Sequence, residues 1–227
     1  MSELTYCVDL GRLAYPEALD LQHRVVAARQ AGLLPDVLLL VEHDPVITLG
    51  RRADPSHILA PREVLAQAGI AVHRVERGGG VTYHGPGQLV GYPILRLEEH
   101  GLGAADYMHR LEDVLLAVLA DLGLQGHRRE GIIGVWLGSG KVAALGARIE
   151  RGVSYHGFAL NVSTDLSHFA LIVPCGITDG GVTTLERALG GPVGWEAVKR
   201  RVRERYAELF ATSLQELSGE ELEGLLG

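Results

Sequence analysis

Apolar residues recur at helical spacing in several stretches of the chain, and the clearest of these predicts a helix over residues 103–122. Gly123 marks its end, because glycine favours the position that follows a helix. The apolar residues on one face of this helix are Leu111, Val114, Leu115, Val118, Leu119 and Leu122. Further helices are predicted over residues 16–31, 61–68, 185–189 and 194–210, and a capping box at 218–221 predicts a short final helix.

Shorter apolar runs between these helices predict β-strands. Residues 37–42 are almost continuously apolar, which is typical of a strand covered on both faces. Residues 132–137 and 141–150 predict a hairpin across a Gly-Ser-Gly turn. The other predicted strands are 4–10, 46–49, 71–75, 88–95 and 154–162. No repeat or linker divides this pattern, so we predict a single α+β domain over residues 1–227, with a mixed β-sheet packed by helices.

The stretch from residue 77 to residue 94 combines glycine turns with polar side chains. Its consecutive glycines, Gly78, Gly79 and Gly80, predict a loop that directs backbone N–H groups towards a ligand, because glycine admits positive φ and close approach. A second turn at residues 85–87 precedes a buried strand. A plain glycine-rich connection is the alternative interpretation. The polar residues around the two turns favour a binding site: Arg77, Thr82, Tyr83, His84 and Gln88.

Composition and charge narrow the class of protein. Hydrophobic residues make up 47% and charged residues 22% of the 227 residues, as is ordinary for a globular protein. The formal net charge of −7 disfavours general nucleic-acid binding. No apolar stretch is long enough to span a bilayer, and Glu3 and Asp9 interrupt any signal-like run. We therefore expect a cytoplasmic protein without membrane association and with reduced thiols.

Of the two cysteines, Cys175 has the better context for chemistry. It lies between Pro174 and Gly176, which leaves a thiol uncrowded, whereas Cys7 lies in an apolar run. A thiol needs a positive neighbour or a base to become a good nucleophile at neutral pH. The candidate neighbour is Lys141, which follows a glycine turn and opens a strand of small residues. A structural cysteine and an ordinary solvated lysine are the alternatives.

The ten histidines are scattered, without a Cys-x-x-Cys or a His-x-x-x-His pair, so no metal site is predicted. His84 and His156 each precede a glycine, and each could act as a base, orient a substrate or be an ordinary strand-end histidine. The chain has no Gly-x-x-x-x-Gly-Lys-[Ser/Thr] loop, and no predicted helix follows the three glycines as a dinucleotide fingerprint requires. We therefore predict no cofactor.

Several blocks of the sequence, taken in order, resemble one known family. They are Arg77-Gly-Gly-Gly-Val-Thr-Tyr-His-Gly-Pro-Gly-Gln-Leu-Val-Gly-Tyr-Pro-Ile94, Gly134-Val-Trp136, Lys141-Val-Ala-Ala-Leu-Gly-Ala-Arg148, His156-Gly-Phe-Ala-Leu-Asn-Val162 and Pro174-Cys-Gly-Ile177. They are similar to the signature of the octanoyltransferases of lipoate biosynthesis, also called lipoyl(octanoyl) transferases or lipoate–protein ligase B. The resemblance covers residues 41–185 and departs mildly at Gly80, often larger in the family, and at Thr184, commonly a serine.

The resemblance implies a fold shared with the biotin and lipoate protein ligases, and transfer of an octanoyl (or lipoyl) group from acyl carrier protein to a lysine. The implied acceptors are the lipoyl domains of 2-oxoacid dehydrogenase complexes and the glycine cleavage H protein. Cys175 would carry the acyl group as a thioester, and Lys141 would assist it. The implied substrate-binding residues are Arg77, Gly78, Gly79, Gly80, Val81, Thr82, Tyr83, His84, Ala144, Leu145, Gly146, Gly157, Phe158 and Ala159.

Two other functions stay open at the level of sequence. An ATP-dependent lipoate or biotin ligase of the same fold would activate an acid as an adenylate, without a nucleophilic cysteine. A non-catalytic module that binds a carrier protein would have no use for Cys175 and Lys141. For the docking of an acidic carrier protein we expect a local basic patch of Arg51, Arg52 and Arg74, and ordinary surface charges are the alternative.

Overall fold

The computed structural model describes residues 3–173 and 181–227. The helices are α1 (Tyr15–Gln30), α2 (Arg62–Gln67), α3 (Ala104–Asp121), α4 (Leu185–Leu189), α5 (Trp195–Leu209) and α6 (Gly219–Leu226). The strands are β1 (Glu3–Leu13), β2 (Asp36–His43), β3 (Val46–Leu49), β4 (Ala71–Arg74), β5 (Val81–His84), β6 (Gln88–Ile94), β7 (His127–Arg129), β8 (Ile132–Leu137), β9 (Gly140–Glu150), β10 (Val153–Asn161) and β11 (Thr212–Leu217). Short 3₁₀ helices cover Pro55–His57, Leu97–His100 and Leu166–Leu171.

The strands form two sheets. The larger sheet has eight strands in the order β11-β1-β2-β6-β10-β9-β8-β7. In it β1 runs parallel to both of its neighbours, β11 and β2, and the other pairs are antiparallel. The smaller sheet has three strands in the order β4-β3-β5. The predicted mixed sheet with helices packed against it is therefore confirmed, and its division into two sheets is a finding of the structure.

Helices cover both faces of the larger sheet. In β2, Leu38 and Leu40 point into a core shared with α3 and α5, whereas Val37, Leu39 and Val41 point into a second core shared with α1 and α6. This alternation follows from the period of two along a strand, and it explains why residues 37–42 are apolar at nearly every position. None of the described helices has the length and apolar character needed to cross a bilayer.

The glycine-rich stretch crosses from one sheet to the other. It supplies β5 to the smaller sheet, turns at Gly85-Pro86-Gly87 and then enters the larger sheet as β6 between β2 and β10. The sequence predicted β6 but gave no strand over Val81–His84, because a strand of only four residues gives little periodicity. β7 and β11 were also missed. Both are edge strands at the two ends of the larger sheet, and many of their side chains are exposed.

Candidate functional site

A pocket opens where the two sheets meet, and its walls come from the strands that the sequence analysis singled out. The residues around it are Tyr15, Arg77, Thr82, His84, Val90, Tyr92, Ala144, Leu145, Gly146, His156, Gly157, Phe158 and Ala159. A second, smaller cavity adjoins it through Thr82, Ala144 and Ala159 and reaches Lys141. The apolar side chains of the main pocket give it the character of a site for an acyl chain or another apolar group.

Most of the predicted substrate-binding residues line this pocket. They are Arg77, Thr82, His84, Ala144, Leu145, Gly146, Gly157, Phe158 and Ala159. Val81 and Tyr83 point elsewhere and pack in a separate apolar cluster of the smaller sheet, where the hydroxyl of Tyr83 lies 2.7 Å from His168 Nδ1. Gly78, Gly79 and Gly80 lie outside the pocket lining. The role of each of these residues in substrate binding stays a prediction.

The loop of three glycines is held by hydrogen bonds inside the protein. The N–H of Gly78 donates to the carbonyl of Ala147 at 2.9 Å, so this N–H is not directed towards a ligand as predicted. The carbonyls of Gly79 and Gly80 accept hydrogen bonds from the backbone of Arg52 and Gly50. Gly79 has φ of +88°, a conformation that favours glycine. The loop therefore joins the start of the glycine-rich stretch to β9 and fixes Arg77 beside the pocket.

Arg77 is buried, and its guanidinium group holds the smaller sheet next to the pocket. Nη2 donates to the carbonyl of Thr48 at 2.7 Å and to its hydroxyl at 2.8 Å, and Nη1 donates to the carbonyl of Gly78 at 3.0 Å. Its positive charge also lowers the pKa of His84 and His156, although burial is the larger cause. Arg77 thus contributes both the shape and the electrostatics of the pocket.

Aromatic and imidazole rings form a buried layer at the pocket, which we call the pocket cluster: Tyr15, His43, His84, Tyr92 and His156. His43 Nδ1 lies 2.9 Å from the carbonyl of Leu13, so it carries the proton and donates. Its Nε2 then accepts a hydrogen bond from the hydroxyl of Tyr92 at 2.6 Å. His84 Nδ1 donates in the same way to Gln88 Oε1 at 2.7 Å. Hydrogen bonds therefore fix the tautomers of these two rings.

Burial keeps the histidines of the pocket cluster neutral. It lowers the pKa of His43 to about 4 and that of His156 to about 3, and it places the pKa of His84 well below the usual range. A histidine with so low a pKa is a weak base at neutral pH. Of the roles left open by the sequence, the structure favours substrate orientation over general-base chemistry for His84 and His156.

His156 has an unusual backbone and an unsatisfied ring nitrogen. It lies within β10, yet its φ is +56°, which is strained for a residue with a Cβ. Its N–H donates to Oε1 of the buried Gln22 at 2.9 Å. The residue is 1% exposed, and Nε2 has no hydrogen-bond partner among the residues that the structure describes. The interpretation of His156 as an ordinary strand-end histidine is therefore wrong.

Lys141 is buried beside the pocket, contrary to the alternative of a solvated lysine. It is 6% exposed, its Nζ donates to the carbonyl of Ile133 at 3.0 Å, and the ammonium lies 4.9 Å from the centre of the Trp136 ring. Trp136 is its partner on the neighbouring strand β8, next to an irregularity in the pairing of β8 and β9. Bulges of this kind redirect side chains, and they are common next to active sites.

Of the two cysteines, Cys7 lies among the described residues and is buried. Cys175 lies outside the described residues, as does the rest of the Pro174-Cys-Gly-Ile177 block. Gly181, the first described residue after that gap, accepts a hydrogen bond from the N–H of Lys141 at 2.9 Å. Cys7 is buried in β1, where burial raises the pKa of its thiol to about 12. Cys7 is therefore a poor nucleophile at neutral pH.

A shallow basic groove lies next to the glycine loop. Its walls include Arg51, Arg74 and Arg148, together with Gly50, Val75 and Glu76. Arg51 and Arg74 are exposed, and within the described chain neither forms a salt bridge with a carboxylate. Arg52 is also exposed but does not line the groove. The structure thus brings together two of the three arginines expected at a docking surface and adds Arg148.

Sequence reasoning missed part of the pocket. Tyr15 begins α1, far from the glycine-rich stretch along the chain, and Gln22 lies about two turns further along the same helix. Tyr92 belonged to a predicted strand but was given no role in the site. These residues could have been found as polar residues at positions predicted to be buried. Which of them meet at the pocket depends on how α1 packs against the sheet. In the described part of the chain, no group of three or more His, Cys, Asp or Glu side chains is arranged so that it could hold a metal ion.

Comparison with known proteins adds an independent line of evidence. Residues 14–207 match the family described as the lipoyl protein ligase A/B catalytic domain. An octanoyltransferase of Alkaliphilus metalliredigens is 46% identical over 204 residues, which cover 89% of this chain and 94% of that protein. An octanoyltransferase of Syntrophobacter fumaroxidans is 45% identical over 226 residues, which cover 100% of this chain and 99% of that protein. Lipoate-protein ligase A, solved with bound ATP, aligns at 16% identity with a TM-score of 0.78, covering 100% of this chain and 93% of that one, and therefore shares its fold.

Proposed function

The chain belongs to the lipoyl protein ligase A/B catalytic domain family, and we propose that it is an octanoyltransferase of protein lipoylation, with residues 1–227 acting as one catalytic domain. It moves an octanoyl (or lipoyl) group from acyl carrier protein to the ε-amine of a lysine. The observation that carries the proposal is the position of the buried Lys141 beside an apolar pocket lined by the residues that the family signature predicted.

The reaction we propose has two acyl transfers through Cys175. In the first, the Cys175 thiolate attacks the carbonyl of the donor thioester, the bond to the phosphopantetheine sulfur breaks, and the leaving carrier sulfur takes a proton from the Lys141 ammonium. In the second, the acceptor lysine attacks the Cys175 thioester, an amide forms, and the cysteine sulfur leaves. The proton lost by the amine passes to this sulfur or to Lys141. Each transfer starts from an activated thioester, so no ATP is consumed.

The pocket supplies binding energy and position for the acyl chain. Val90, Leu145 and Phe158 offer apolar contact, and each methylene group that they bury contributes about 0.8 kcal/mol. Lys141 supplies a positive charge, which favours a thiolate and a developing oxyanion near it. Cys7 offers no competing thiol, since its pKa is raised to about 12 by burial.

The proposed partners follow from the same family. The donor is octanoyl-acyl carrier protein, and the acceptors are lipoyl domains of 2-oxoacid dehydrogenase complexes and the glycine cleavage H protein, in the cytoplasm. An acidic carrier must approach a chain with a net charge of −7, so a local basic surface is needed. The groove of Arg51, Arg74 and Arg148 provides one beside the pocket.

Mass spectrometry tests the covalent intermediate. After incubation with octanoyl-acyl carrier protein, the protein should gain one octanoyl group on Cys175 and none on Cys7. Cys175→Ala should abolish transfer while the fold persists, and Cys7→Ala serves as the matched control with activity retained. Transfer that requires ATP would indicate a ligase, and tight carrier binding without acylation would indicate a binding module. Undiminished transfer by Cys175→Ala would exclude the mechanism.

Kinetics test the docking surface. Arg74→Glu should raise the KM for octanoyl-acyl carrier protein several-fold, more at low salt, where screening of charges is weaker. Transfer from a small octanoyl thioester should be nearly unchanged, because that donor has no acidic surface. Arg200→Glu, an exposed arginine of α5 outside the groove, is the matched control. Equal losses with both donors would show that Arg74 supports the pocket and does not dock the carrier protein.

A further inference from the structure

We propose that Glu112 is a positioning residue that holds Lys141 in place through a single peptide group. The proposal rests on the proposed function, in which Lys141 assists acyl transfer. Glu112 lies on α3, outside the pocket, and is 1% exposed. Its Oε1 accepts a hydrogen bond from the N–H of Gly134 at 2.7 Å. The carbonyl of the same peptide group, that of Ile133, accepts the hydrogen bond from Lys141 Nζ at 3.0 Å.

The geometry of a peptide group makes this connection rigid. The group is planar, and its N–H and C=O point in opposite directions when it is trans, as it is here. Fixing the N–H of Gly134 on a buried carboxylate therefore fixes the direction of the Ile133 carbonyl. Hydrogen bonds in such a chain also polarise one another, and a charged acceptor makes the first of them shorter and stronger.

The absence of a side chain at Gly134 leaves room for the side chain of Lys141. Its φ is +148°, and a Cβ at this position would lie 2.3 Å from Cε of Lys141. The lysine stem thus passes directly over the backbone of Gly134, and a small shift of this peptide group would displace the ammonium. Displacement of a catalytic group by about 1 Å can cost about 100-fold in rate.

A purely structural role for Glu112 is the competing explanation. Its Oε2 lies 2.7 Å from Arg128 Nε and 3.0 Å from His109 Nδ1, so it also ties α3 to the start of β7. Asp113 offers a natural control, because it accepts a hydrogen bond from the same arginine at 2.7 Å and no contact of Asp113 with the Ile133–Gly134 peptide is present in the described structure. If Glu112 acted only by holding Arg128, Asp113 would share that role. If Glu112 acts through Lys141, Asp113 has no part in it.

Kinetics with a small octanoyl thioester give the first test. Glu112→Ala should lower kcat about 10- to 100-fold with KM nearly unchanged, since the residue does not touch the acyl pocket. Glu112→Gln keeps an acceptor oxygen and should lose less, whereas Asp113→Ala should stay within about twofold of the parent. Wild-type kcat in a folded Glu112→Ala variant, or an equal loss in Asp113→Ala, would overturn the proposal.

A double-mutant cycle guards against a variant that merely destabilises the fold. Alkylation of Cys175 by iodoacetamide is measured for Glu112→Gln, Lys141→Met and the double variant, because this rate can be followed even where turnover is lost. If Glu112 acts through Lys141, its substitution should have no further effect once Lys141 is replaced. Additive effects of the two substitutions would overturn the proposal.

Fluorescence separates this inference from the proposed function. In a Trp195→Phe protein Trp136 is the remaining tryptophan, with the Lys141 ammonium 4.9 Å from its ring. Glu112→Ala should shift the Trp136 emission in the same direction as Lys141→Met, and Asp113→Ala should not. Such a shift in a protein that fails to transfer octanoyl groups would sink the proposed function and keep the positioning role. Unchanged emission, with octanoyl transfer intact, would sink the positioning role alone.

Discussion

Two polar clusters lie at opposite ends of β2, and they are built on different principles. The ion cluster at the start of the strand comprises Arg29, Asp36, Arg96, Glu99 and His100. Both carboxylate oxygens of Asp36 are used there, on Arg29 Nε at 2.7 Å and on His100 Nε2 at 2.6 Å. The pocket cluster at the other end contains neutral rings, a strained residue and the unsatisfied Nε2 of His156.

The two clusters contribute to different properties of the protein: the ion cluster to its stability and the pocket cluster to its function. A buried charge is tolerated only when partners offset its desolvation, so a fully paired ion cluster ties α1 and β2 together without offering anything to a ligand. Strain and an unsatisfied polar atom cost free energy in the unliganded protein and persist where a ligand uses them. The contrast predicts that substitutions at the start of β2 change mainly stability, and that those at its end change mainly activity.

Removal of Asp36 should give the largest effect. Asp36→Ala removes the more buried of the two carboxylate partners of Arg29, together with the partner of His100, and should lower the free energy of unfolding by about 3–5 kcal/mol. Asp44→Ala is the control, because Asp44 pairs with Arg12 at the surface, where the loss should stay below about 1 kcal/mol. Urea unfolding followed by circular dichroism measures both. Similar losses in the two variants would remove the distinction between the ion cluster and surface pairs.

Acid should destabilise the protein through the pocket cluster. In the unfolded chain His43 titrates near 6.5, whereas burial lowers its pKa to about 4 in the folded protein. Between these values only the unfolded state binds the proton. Stability that is fully present above pH 6.5 is therefore lost as the pH falls towards 4, by about 1.4 kcal/mol per pH unit for each such histidine.

His43→Gln should flatten this pH dependence by about one such histidine, as measured by urea unfolding at several pH values between 6.5 and 4. His127→Gln, which replaces an exposed histidine outside the pocket cluster, is the matched control. An unchanged slope in the His43 variant would show that the ring is accessible to protons in the folded state.

The smallest effect concerns the backbone of His156. At φ of +56° glycine is favoured over alanine, so His156→Gly should be more stable than His156→Ala by about 1 kcal/mol, the reverse of the usual order in a strand. Both variants should lose octanoyl transfer, because both lack the ring. Thermal unfolding compares the pair, and an alanine variant more stable than the glycine variant would argue against strain at this site.

Much of the fold was predictable because its signals are local. The spacing of Leu111, Val114 and Leu115 predicted α3, and the apolar run of β2 predicted a strand covered on both faces. Short edge strands such as β11 were missed because exposed strands carry little apolar pattern. The glycine-rich stretch lies at the candidate site, but the prediction that its N–H groups face a ligand is wrong for Gly78, whose N–H donates to the carbonyl of Ala147.

The missing parts of the site come from distant segments. Tyr15, Gln22 and Glu112 lie on helices whose own patterns explain only their apolar faces. The hydrogen bonds from Gly134 to Glu112 and from His156 to Gln22 join residues more than twenty positions apart, and Tyr15 meets His43 and His84 through ring contacts. Such pairings depend on how helices dock on the sheet, and no periodicity along one segment contains that information.

The parallel pairing of β1 with β11 has a consequence for synthesis of the chain. Thr5 and Thr212, whose hydroxyls lie 2.7 Å apart, are separated by 207 positions. At typical rates of translation, β1 leaves the ribosome about 10 to 40 seconds before its outer neighbour exists. During that interval one edge of β1 presents unpaired backbone groups, the kind of edge that recruits strands from other chains. Pairing with β11 covers that edge of β1, so the folded chain no longer presents it to other chains.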